Sequence, residues 1–467
     1  MLGNYKQNIK KLISNETYLL PVKTIGSVPI NVALVYPNTY GIGMSNLGFH
    51  SIYYQINLRD DALCHRAFLC LENNRKCNIN TVEADKSINE YDIVGFSISF
   101  EMDYINILKI LDSMQIPIFS ENRQTPLVMA GGPAATFNPE PLSPFVDIFV
   151  IGEGEEVIHE IIQKYKEYQN RSKQEILEAL AQIKGVYVPF FYNITYDKEG
   201  KVRDVKTINS AQKPIAKRWI KDINKYNTES VILTPYTEFK EMFLIEVSRG
   251  CGRNCRFCMA GYCYRIPRHR SLNKVLERAE FGLKHNGKIG LVGAAVSDYP
   301  FIDVLAEELV KKDIKFSVSS LRADTLREPL MEGLAYSGHK TLTIAPEAGS
   351  NRLRKVINKG ITDEHVINSV TLAHRYGIEN VKLYYIIGLP GETEYDIAEM
   401  IDFLTFLKNY MKNIGNKRGN LTISVNPFIP KPFTPFQWFG MESVKLLNEK
   451  IRLLQKHLRP RGIKVIF

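Results

Sequence analysis

Three cysteines near the middle of this 467-residue chain have a spacing that suits metal chemistry. Cys251, Cys255 and Cys258 are separated by four and three residues, and Phe257 precedes the last of them. Thiolates are soft ligands that favour iron–sulfur clusters, and three of them can hold three corners of a cubane. The fourth iron then stays open for another ligand. The alternatives are a three-thiol zinc site or unconnected cysteines, but structural zinc usually has four protein ligands arranged as CxxC pairs.

The stretch from Cys251 to Cys258, CGRNCRFC, closely resembles the cluster motif of the radical SAM superfamily. The resemblance implies that S-adenosylmethionine (SAM) chelates the open iron of a [4Fe–4S] cluster. It also implies that one electron cleaves SAM to a 5′-deoxyadenosyl radical. The chain is then expected to be an enzyme, with an electron donor of the flavodoxin or ferredoxin type as a partner.

Length and composition indicate a globular chain of two or three domains. The hydrophobic content of 45% and the charged content of 24% are ordinary for such a chain. No apolar run is long enough to span a membrane, so no membrane partner is expected. The N-terminus does not have the pattern of a signal peptide, and seven cysteines form an odd set. These features predict reduced thiols and a cytoplasmic location.

Three further cysteines lie in the first hundred residues. Cys64, Cys70 and Cys77 are separated by six and seven residues, which matches no common metal-binding pattern. We interpret them as ordinary buried or half-buried thiols. Cys263 follows the cluster motif, and we expect it not to be a ligand, because a fourth thiolate would close the iron that SAM needs. A thiol on the substrate side is the alternative role for Cys263.

The net charge of +10 is unevenly distributed. Arginines around the cysteine motif either offset the charge of a thiolate-bound cluster, face an anionic substrate, or are simply solvated. A second basic stretch, 445–464, has helical spacing and could contact RNA, but a solvated surface explains it better. The arginines around the motif are Arg249, Arg253, Arg256, Arg265, Arg268 and Arg270.

Apolar strands alternate with amphipathic helices in the first part of the chain. This alternation predicts an α/β fold with a doubly wound parallel sheet of the Rossmann or flavodoxin type. Sheets of this kind bind ligands at the carboxyl ends of their strands. The predicted strands cover 31–37, 92–99, 126–130 and 147–151, and the predicted helices cover 45–57, 102–114 and 155–165.

The strand ends of this part resemble the cobalamin-binding-type domain that precedes the barrel in many radical SAM proteins. The resemblance implies cobalamin contacts from Tyr40, Ser97, Ser99, Gly131 and Gly132. Small residues there let the backbone approach a flat corrin. The sequence departs from the family's Asp-x-His-x-x-Gly motif, whose histidine replaces the lower ligand of cobalt, because YGIGMSN stands in its place. The alternative is a domain that is kept for architecture or for substrate binding.

The pattern changes from residue 169 onwards. A hairpin is predicted over 186–208 with its turn at 197–201, followed by a connecting segment. Six strand–helix units then agree with the partial (β/α)6 barrel that the radical SAM resemblance implies. The barrel strands are predicted at 242–247, 288–296, 314–321, 340–346, 381–388 and 421–428, and the helices between them at 271–285, 302–312, 326–336, 362–376 and 393–409.

The expected domain organisation has four parts. A cobalamin-binding-like α/β domain covers 1–168, and a hairpin with a connecting segment covers 169–240. The radical SAM barrel covers 241–438, and a C-terminal helix and strand cover 439–467. The last part of the barrel, 426–438, is rich in proline and aromatic residues and is predicted to act either as a lid that excludes water or as a structural strap.

The resemblance implies SAM contacts at the carboxyl ends of the later barrel strands, where barrel chemistry takes place. Glu347 would accept the ribose hydroxyls, and an arginine near it, such as Arg354, would pair with the SAM carboxylate. Asp298 is the nearest acid after the second strand. Each of these residues alone could equally be structural. The implied SAM residues are Gly293, Ala294, Ser320, Arg322, Glu347, Arg354, Ile386 and Gly388.

Together these features predict a radical SAM enzyme that transfers a methyl group from cobalamin to an unactivated carbon. One alternative is a cobalamin-independent radical modification of tRNA or protein. The other is a non-catalytic iron–sulfur module that binds RNA or protein. The sequence leaves the substrate open, with RNA and protein as candidates.

Overall fold

A computed structural model describes residues 11–69, 79–209, 211–239, 242–285 and 287–467. The chain forms two compact units, Met1–Glu241 and Met242–Phe467, called here the N-terminal and the C-terminal unit. The division into four parts stays a prediction. Cys70 and Cys77 lie outside the described residues. Within the described ranges, none of the helices has both the length and the apolar character that a membrane crossing requires.

The N-terminal unit contains short α-helices and a central sheet. Its α-helices cover Tyr40–Gly43, Leu47–Asn57, Tyr104–Ser113, Pro133–Phe137, Gly154–Tyr168 and Lys173–Ala181. Its strands are β1 (Thr17–Tyr18), β2 (Ile30–Tyr36), β3 (Ala62–Phe68), β4 (Ile93–Ser97), β5 (Leu127–Gly131), β6 (Ile148–Val150), β7 (Val186–Tyr187), β8 (Tyr192–Tyr196), β9 (Val202–Thr207) and β10 (Ile232–Leu233).

Six of these strands form one sheet in the order β3-β2-β4-β5-β6-β7. Neighbouring strands are parallel except at the β7 edge, which is antiparallel. The predicted doubly wound parallel sheet is therefore confirmed. Because β3 and β4 lie on opposite sides of β2, the winding reverses at β2, and segments that follow β2 and β4 lie at one carboxyl edge. Outside this sheet, β8 and β9 form an antiparallel hairpin.

Both faces of this sheet are covered by apolar side chains. Successive residues of a strand point to opposite faces. Val32 and Leu34 of β2 belong to one apolar cluster, and Ala33 and Val35 belong to another. A parallel sheet buried on both sides is typically built from such continuous apolar strands.

Strand β3 is missing from the sequence prediction, although all seven of its residues are buried. The polar run Cys64-His65-Arg66 hides its apolar character. Arg66 can be buried because two carboxylates neutralise it: its Nη2 lies 2.8 Å from Glu16 Oε2, and its Nε lies 2.6 Å from Glu83 Oε1. Cys64 is buried in the core, as predicted.

The C-terminal unit alternates strands and helices. Its α-helices cover Ala260–Cys263, Leu272–Leu283, Ile302–Lys311, Glu328–Tyr336, Asn351–Val356, Asp363–Arg375, Glu394–Asn413 and Val444–Leu458. Its strands are β11 (Phe243–Glu246), β12 (Ser248–Arg249), β13 (Arg268–His269), β14 (Lys288–Val292), β15 (Lys315–Val318), β16 (Thr341–Glu347), β17 (Asn380–Ile387), β18 (Leu421–Pro427) and β19 (Ile463–Ile466).

Two parallel sheets make up the barrel wall. One has the order β11-β14-β15 and the other the order β16-β17-β18-β19. Six of the strands match the predicted barrel strands, and the partial barrel is confirmed. The C-terminal strand β19 pairs with β18 and so extends the barrel sheet. In the described part of the unit no ladder joins β15 to β16, and we call this line of the wall the seam.

One face of the four-stranded sheet is buried, and the other face is half-buried. In β16 and β17 buried residues alternate with half-buried ones. The crossover helices cover the outer face of such a barrel, so the less buried face points inward. We call it the inward face. Its residues are Thr341, Thr343, Ala345, Asn380, Lys382, Tyr384, Ile386, Thr422, Ser424 and Asn426.

Candidate functional site

The cysteine loop, residues 250–267, begins directly after β12 and ends before β13. These two strands pair as a short antiparallel ribbon, with Arg249 opposite Arg268. Gly250 has a φ of +85°, and a Cβ at this position would lie 2.0 Å from the carbonyl oxygen of Tyr264. Only glycine allows this turn without displacement. The ribbon and the turn therefore hold both ends of the loop together beside the carboxyl end of β11.

An aromatic side chain and two backbone hydrogen bonds fix the middle of the loop. Phe257 packs against an apolar cluster that includes Ile357 and Phe436. The amide of Arg256 donates to the carbonyl oxygen of Ile357 at 2.9 Å, and the amide of Phe436 donates to the carbonyl oxygen of Arg256 at 3.1 Å. The aromatic residue of the motif thus positions the cysteines on the fourth strand–helix unit.

The proline- and aromatic-rich segment 426–438 contributes that second hydrogen bond. Its Phe436 is buried and makes an edge contact with Phe428, with ring centroids 6.0 Å apart. Phe433 and Trp438 in the same segment are exposed. The segment therefore acts as a strap that is tied to the cysteine loop. Its prediction as a lid stays a prediction.

Most arginines of the region bind protein groups. Arg253 donates two hydrogen bonds of 2.8 Å to the carboxylate of Asp298, and its Nη1 lies 3.2 Å from Asp324 Oδ2. Arg249 and Arg270 share the carboxylate of Glu246, with Nε–Oε1 and Nη2–Oε2 distances of 2.8 and 3.0 Å. Bidentate arginine–carboxylate pairs fix geometry as well as charge. These arginines therefore brace the loop, and Asp298 serves as one of their anchors.

The three thiols of the motif are free and lie in one electrostatic environment. Cys255 is buried, and Cys251 and Cys258 are half-buried. Burial raises the pKa of Cys255 and of Cys258, and negative charge on the neighbouring thiols acts in the same direction. Lys359 and Arg322 act on Cys255 in the opposite direction and lower its pKa. The thiols are therefore close enough to influence one another, and Cys255 has two cations nearby.

Among the described residues, no group of three or more His, Cys, Asp and Glu side chains is arranged around the position of a single metal ion. A cubane makes a different demand, because each thiolate binds a different iron. Three free thiols with neighbouring cations fit such a thiolate-bound cluster. The assignment of Cys251, Cys255 and Cys258 as its ligands stays a prediction.

Glu347 ends β16 in an unusual backbone conformation. Its φ is +70°, and the pairing register shifts between Ile344 and Glu347. A left-handed residue other than glycine is strained and often marks a functional position. The carboxylate lies 3.2 Å from Lys359 Nζ. Burial raises the pKa of Glu347, and the charges of Lys359 and Arg322 partly oppose this effect.

Arg322 is also held in place. Its Nε donates to Asp324 at 2.9 Å, and its Nη2 donates to the carbonyl oxygen of Lys359 at 2.9 Å. The structure therefore brings Arg322 and Glu347, two of the predicted SAM residues, together near Cys255. Sequence analysis missed Lys359. Its only signal is a position in a turn after a short helix, which is too general to indicate a site.

The predicted SAM residues after β14 and β15 also lie together. The hydroxyl of Ser320 donates to the carbonyl oxygen of Gly293 at 3.0 Å and accepts from the amide of Val296 at 3.0 Å. A Cβ on Gly293 would lie 2.6 Å from the hydroxyl of Ser248. Ala294 is exposed beside them. These bonds connect the carboxyl ends of two neighbouring strands.

The other predicted SAM residues have different surroundings. Arg354 is buried, and its guanidinium donates to the carbonyl oxygen of Ala348 at 3.0 Å and to Asp363 at 2.7 Å. Its pairing with the SAM carboxylate stays a prediction, because the bonds seen here are all to protein groups. Ile386 packs on the same apolar cluster as Phe257. Gly388 has a φ of +74° at the turn after β17.

Four of the five predicted cobalamin residues share the carboxyl edge of the N-terminal sheet. Ser97 and Gly131 are register partners on β4 and β5. Gly132 has a φ of +104°, and a Cβ there would lie 2.6 Å from the carbonyl oxygen of Ile98. The hydroxyl of Ser99 accepts a hydrogen bond of 2.9 Å from the Asn46 side chain.

Tyr40, the fifth predicted cobalamin residue, contacts a different group of residues. Its hydroxyl donates to Glu16 at 2.6 Å, and its ring lies against Phe68 at 5.1 Å. Glu16 is one of the two carboxylates that neutralise Arg66. The structure therefore places the Tyr40 side chain with the buried ion pair, apart from the contacts described for the other four residues.

Two family models match the chain. "Radical SAM proteins, N-terminal" matches residues 48–189, and "Radical SAM superfamily" matches residues 245–404. The uncharacterized protein MJ0966 of Methanocaldococcus jannaschii is 34% identical over 444 residues, which cover 93% of this chain and 85% of that protein. The chain belongs to the radical SAM superfamily. It is an enzyme of this class, whose cofactors are a [4Fe–4S] cluster and SAM.

Two further proteins are similar to this chain. The uncharacterized methyltransferase PH0819 of Pyrococcus horikoshii is 27% identical over 330 residues, covering 67% of this chain and 63% of that protein. The structure of the radical SAM methyltransferase TsrM from Kitasatospora setae, with cobalamin and a [4Fe–4S] cluster bound, has a TM-score of 0.57 at 15% identity. The match covers 88% of this chain and 77% of TsrM, and this likeness shows the fold.

Proposed function

We propose that this radical SAM enzyme transfers a methyl group from cobalamin to an unactivated carbon of its substrate. The names of two similar proteins support methyl transfer, because PH0819 and TsrM are both called methyltransferases. The observation that carries the proposal is the carboxyl edge of the N-terminal sheet. There the left-handed Gly132 lies against the Ile98 backbone, beside Ser97 and Ser99.

In this proposal Cys251, Cys255 and Cys258 hold the iron–sulfur cluster. When bound, the cluster and SAM supply a carbon radical through one-electron cleavage of a carbon–sulfur bond. Lys359 and Arg322 stabilise the thiolate of Cys255, since nearby cations favour the charged form of a thiol. Glu347 is positioned to accept hydrogen bonds from the hydroxyls of SAM, because a carboxylate binds such donors strongly.

The cobalamin part of the proposal rests on Ser97, Ser99, Gly131 and Gly132. Their small side chains leave the backbone accessible to a large flat ligand at the reversal point of the sheet. The segment YGIGMSN contains no histidine, so it supplies no imidazole to cobalt. This departure is the observation that favours the second candidate, a cobalamin-independent radical modification of tRNA or protein.

Anaerobic reconstitution of the full chain, with and without cobalamin, tests the proposal. We expect retained corrin absorbance after desalting and formation of SAM cleavage products under a strong reductant. SAM cleavage without corrin retention would favour the second candidate. Iron–sulfur absorbance without any SAM cleavage would instead indicate a non-catalytic module.

Two neighbouring glycines provide a matched pair for the corrin test. In Gly132→Ala the new methyl group would lie 2.6 Å from the Ile98 carbonyl oxygen at a left-handed φ, so the edge must move. In Gly131→Ala the nearest atom, Val150 Cβ, lies at an ordinary 3.6 Å. We expect corrin retention to fall further in the first variant than in the second, because only the first methyl group forces the backbone of the edge to move. Equal retention would remove Gly132 from the proposed site.

A further inference from the structure

The inward face of the four-stranded sheet is polar where closed barrels are usually filled with bulky apolar residues. One row across this face consists of Thr343, Lys382, Thr422 and Lys464, which are register partners on neighbouring strands. In the next row towards the carboxyl ends, Tyr384 pairs with Ser424. Register partners in a parallel sheet lie on the same face, so these hydroxyls and ammonium groups share one inner surface.

Lys382 is the half-buried cation of this surface. Its Nζ lies 4.7 Å from the centroid of the Tyr384 ring, a favourable cation–π distance. In the part of the chain that the structure describes, no carboxylate pairs with Lys382. Lys464 lies in the same row but is exposed on the edge strand β19, where water solvates its charge. An ammonium that is partly removed from water gains from an anionic partner.

A cavity of about 320 Å³ opens next to this row, along the seam between β15 and β16. Thr343 and Tyr384 contribute to its wall, and so does Ser320, one of the predicted SAM residues. Met331 and Leu334 give part of the wall an apolar character. A cavity of this size accommodates a small ligand or one group of a larger ligand.

The position of Lys382 along its strand agrees with an anchoring role. It precedes Ile386, a predicted SAM residue, by four residues on β17, which corresponds to roughly 13 Å of strand. A substrate held at Lys382 would extend from the inner part of the barrel towards the strand ends. The cysteine loop follows one of these ends, that of β11.

We propose that Lys382 binds a carboxylate of the substrate inside the barrel, with the hydroxyls of Tyr384, Thr422 and Ser424 as neighbouring donors. The inference rests on the proposed function, since it names a chemical class for the substrate of the same site. A single ammonium among hydroxyls suits a monoanion. Lysine also binds phosphate groups, but this row contains neither an arginine fork nor a helix N-terminus to meet the second charge of a phosphate monoester.

Acylation of lysines by acetic anhydride, measured peptide by peptide with mass spectrometry, tests the proposal on the anaerobically reconstituted full chain. The probes are hexanoate, hexyl phosphate and hexanol, which share one apolar tail. We expect hexanoate to slow the labelling of Lys382 and to leave Lys464 unchanged, and hexanol to have no effect. Stronger protection by hexyl phosphate than by hexanoate overturns the carboxylate assignment. Equal protection of both lysines, or no protection of Lys382, overturns the site.

Matched variants give a second readout. A hydrogen-bonded charge pair corresponds to roughly a tenfold or larger change in affinity, so Lys382→Met should weaken hexanoate binding by about that factor in calorimetric titration. Lys464→Met should leave hexanoate binding unchanged. If Lys382→Met weakens SAM binding instead, Lys382 belongs to the SAM site and the proposal is wrong.

The same samples separate this inference from the proposed function. Hexanoate protection of Lys382 in protein that retains no corrin supports the carboxylate site and contradicts cobalamin-dependent methyl transfer. Corrin retention and SAM cleavage in protein whose Lys382 is not protected contradict the carboxylate site and leave the proposed function standing.

Discussion

The two parallel sheets of this chain use their faces differently. In the N-terminal sheet, Leu34 and Val35 of β2 are buried in apolar clusters on opposite faces. In the C-terminal sheet, Leu383 of β17 is buried, whereas its neighbours Lys382 and Tyr384 lie on the half-buried inward face. A sheet that is packed on both faces can offer a ligand only its carboxyl edge. A sheet with one open concave face can also surround a ligand.

Two cations, one in each unit, differ in their partners. Arg66 of the N-terminal unit is buried against Glu16 and Glu83. These two carboxylates already neutralise its charge, so Arg66 does not attract an anionic ligand. Lys382 of the C-terminal unit has an aromatic neighbour but no carboxylate partner among the described residues. A paired charge in a core contributes to one fixed structure, whereas a half-buried charge without a carboxylate partner is available for recognition.

The largest expected effect comes from removing a thiol of the C-terminal unit. Replacing Cys255 with alanine should abolish SAM cleavage, because a cluster held by two protein thiolates is poorly anchored. The measurements are iron content and 5′-deoxyadenosine formation under a strong reductant. Cys251→Ala and Cys258→Ala should behave alike, while Cys263→Ala should keep the cluster. Undiminished 5′-deoxyadenosine formation by the Cys255 variant would refute the ligand assignment.

The contrast between packed and open faces predicts different stability costs. Ile93 in β4 is fully buried, so Ile93→Ala should lower the free energy of unfolding by about 2–5 kcal/mol. Thr422 on the inward face is half-buried, and Thr422→Ala should cost less than about 1 kcal/mol. Urea unfolding of both variants measures the difference. Similar costs would mean that the inward face is packed as tightly as the N-terminal core.

The buried interior of the N-terminal unit should make it sensitive to acid. Burial lowers the pKa of His50 to about 4, and the charge of Arg66 acts in the same direction. The unfolded chain, with a histidine pKa near 6.5, therefore takes up this proton first as the pH falls. Stability should fall by up to roughly 3 kcal/mol between these two pKa values and no further below the lower one.

Urea titrations across this pH range measure the effect of His50. A His50→Gln variant provides the control, because glutamine does not titrate. Its unfolding free energy should depend less steeply on pH than that of the unaltered protein. Parallel pH profiles for the two proteins would show that the histidine is not the acid-sensitive group.

A smaller effect is expected at Glu347. Glu347→Gln keeps the shape of the side chain but removes a charged hydrogen-bond acceptor, so SAM affinity should fall roughly tenfold. Cluster loading should be retained, since the three thiols are untouched. Equilibrium SAM titration and iron analysis of the same samples check both expectations. An unaltered SAM titration curve would exclude Glu347 from the SAM site.

Local sequence patterns predicted most of the fold. The six barrel strands and their helices lie within a few residues of their predicted positions, and Ser271 and Thr362 cap two of these helices. The prediction failed at β3, because its Arg66 is neutralised by Glu16 and Glu83, which lie 50 residues before it and 17 residues after it. No local pattern reveals that distant carboxylates will compensate a charge.

The candidate site was only partly predictable for the same reason. The spacing of the three cysteines is visible in the sequence because the predicted ligands lie within eight residues. The groups that position the cysteine loop come from distant segments. Asp298 accepts hydrogen bonds from Arg253, and the carbonyl oxygen of Ile357 accepts a hydrogen bond from the amide of Arg256. Such partners become evident only when strand order and loop positions are known.

The seam between β15 and β16 has a mechanical consequence for the barrel. In the described residues no ladder joins the two strands at this line, so parting them breaks no ladder hydrogen bonds. Parting β17 from β18 would instead break a continuous row of backbone hydrogen bonds. A bulky ligand is therefore expected to widen the barrel wall at the seam first. The remaining strands would keep their spacing.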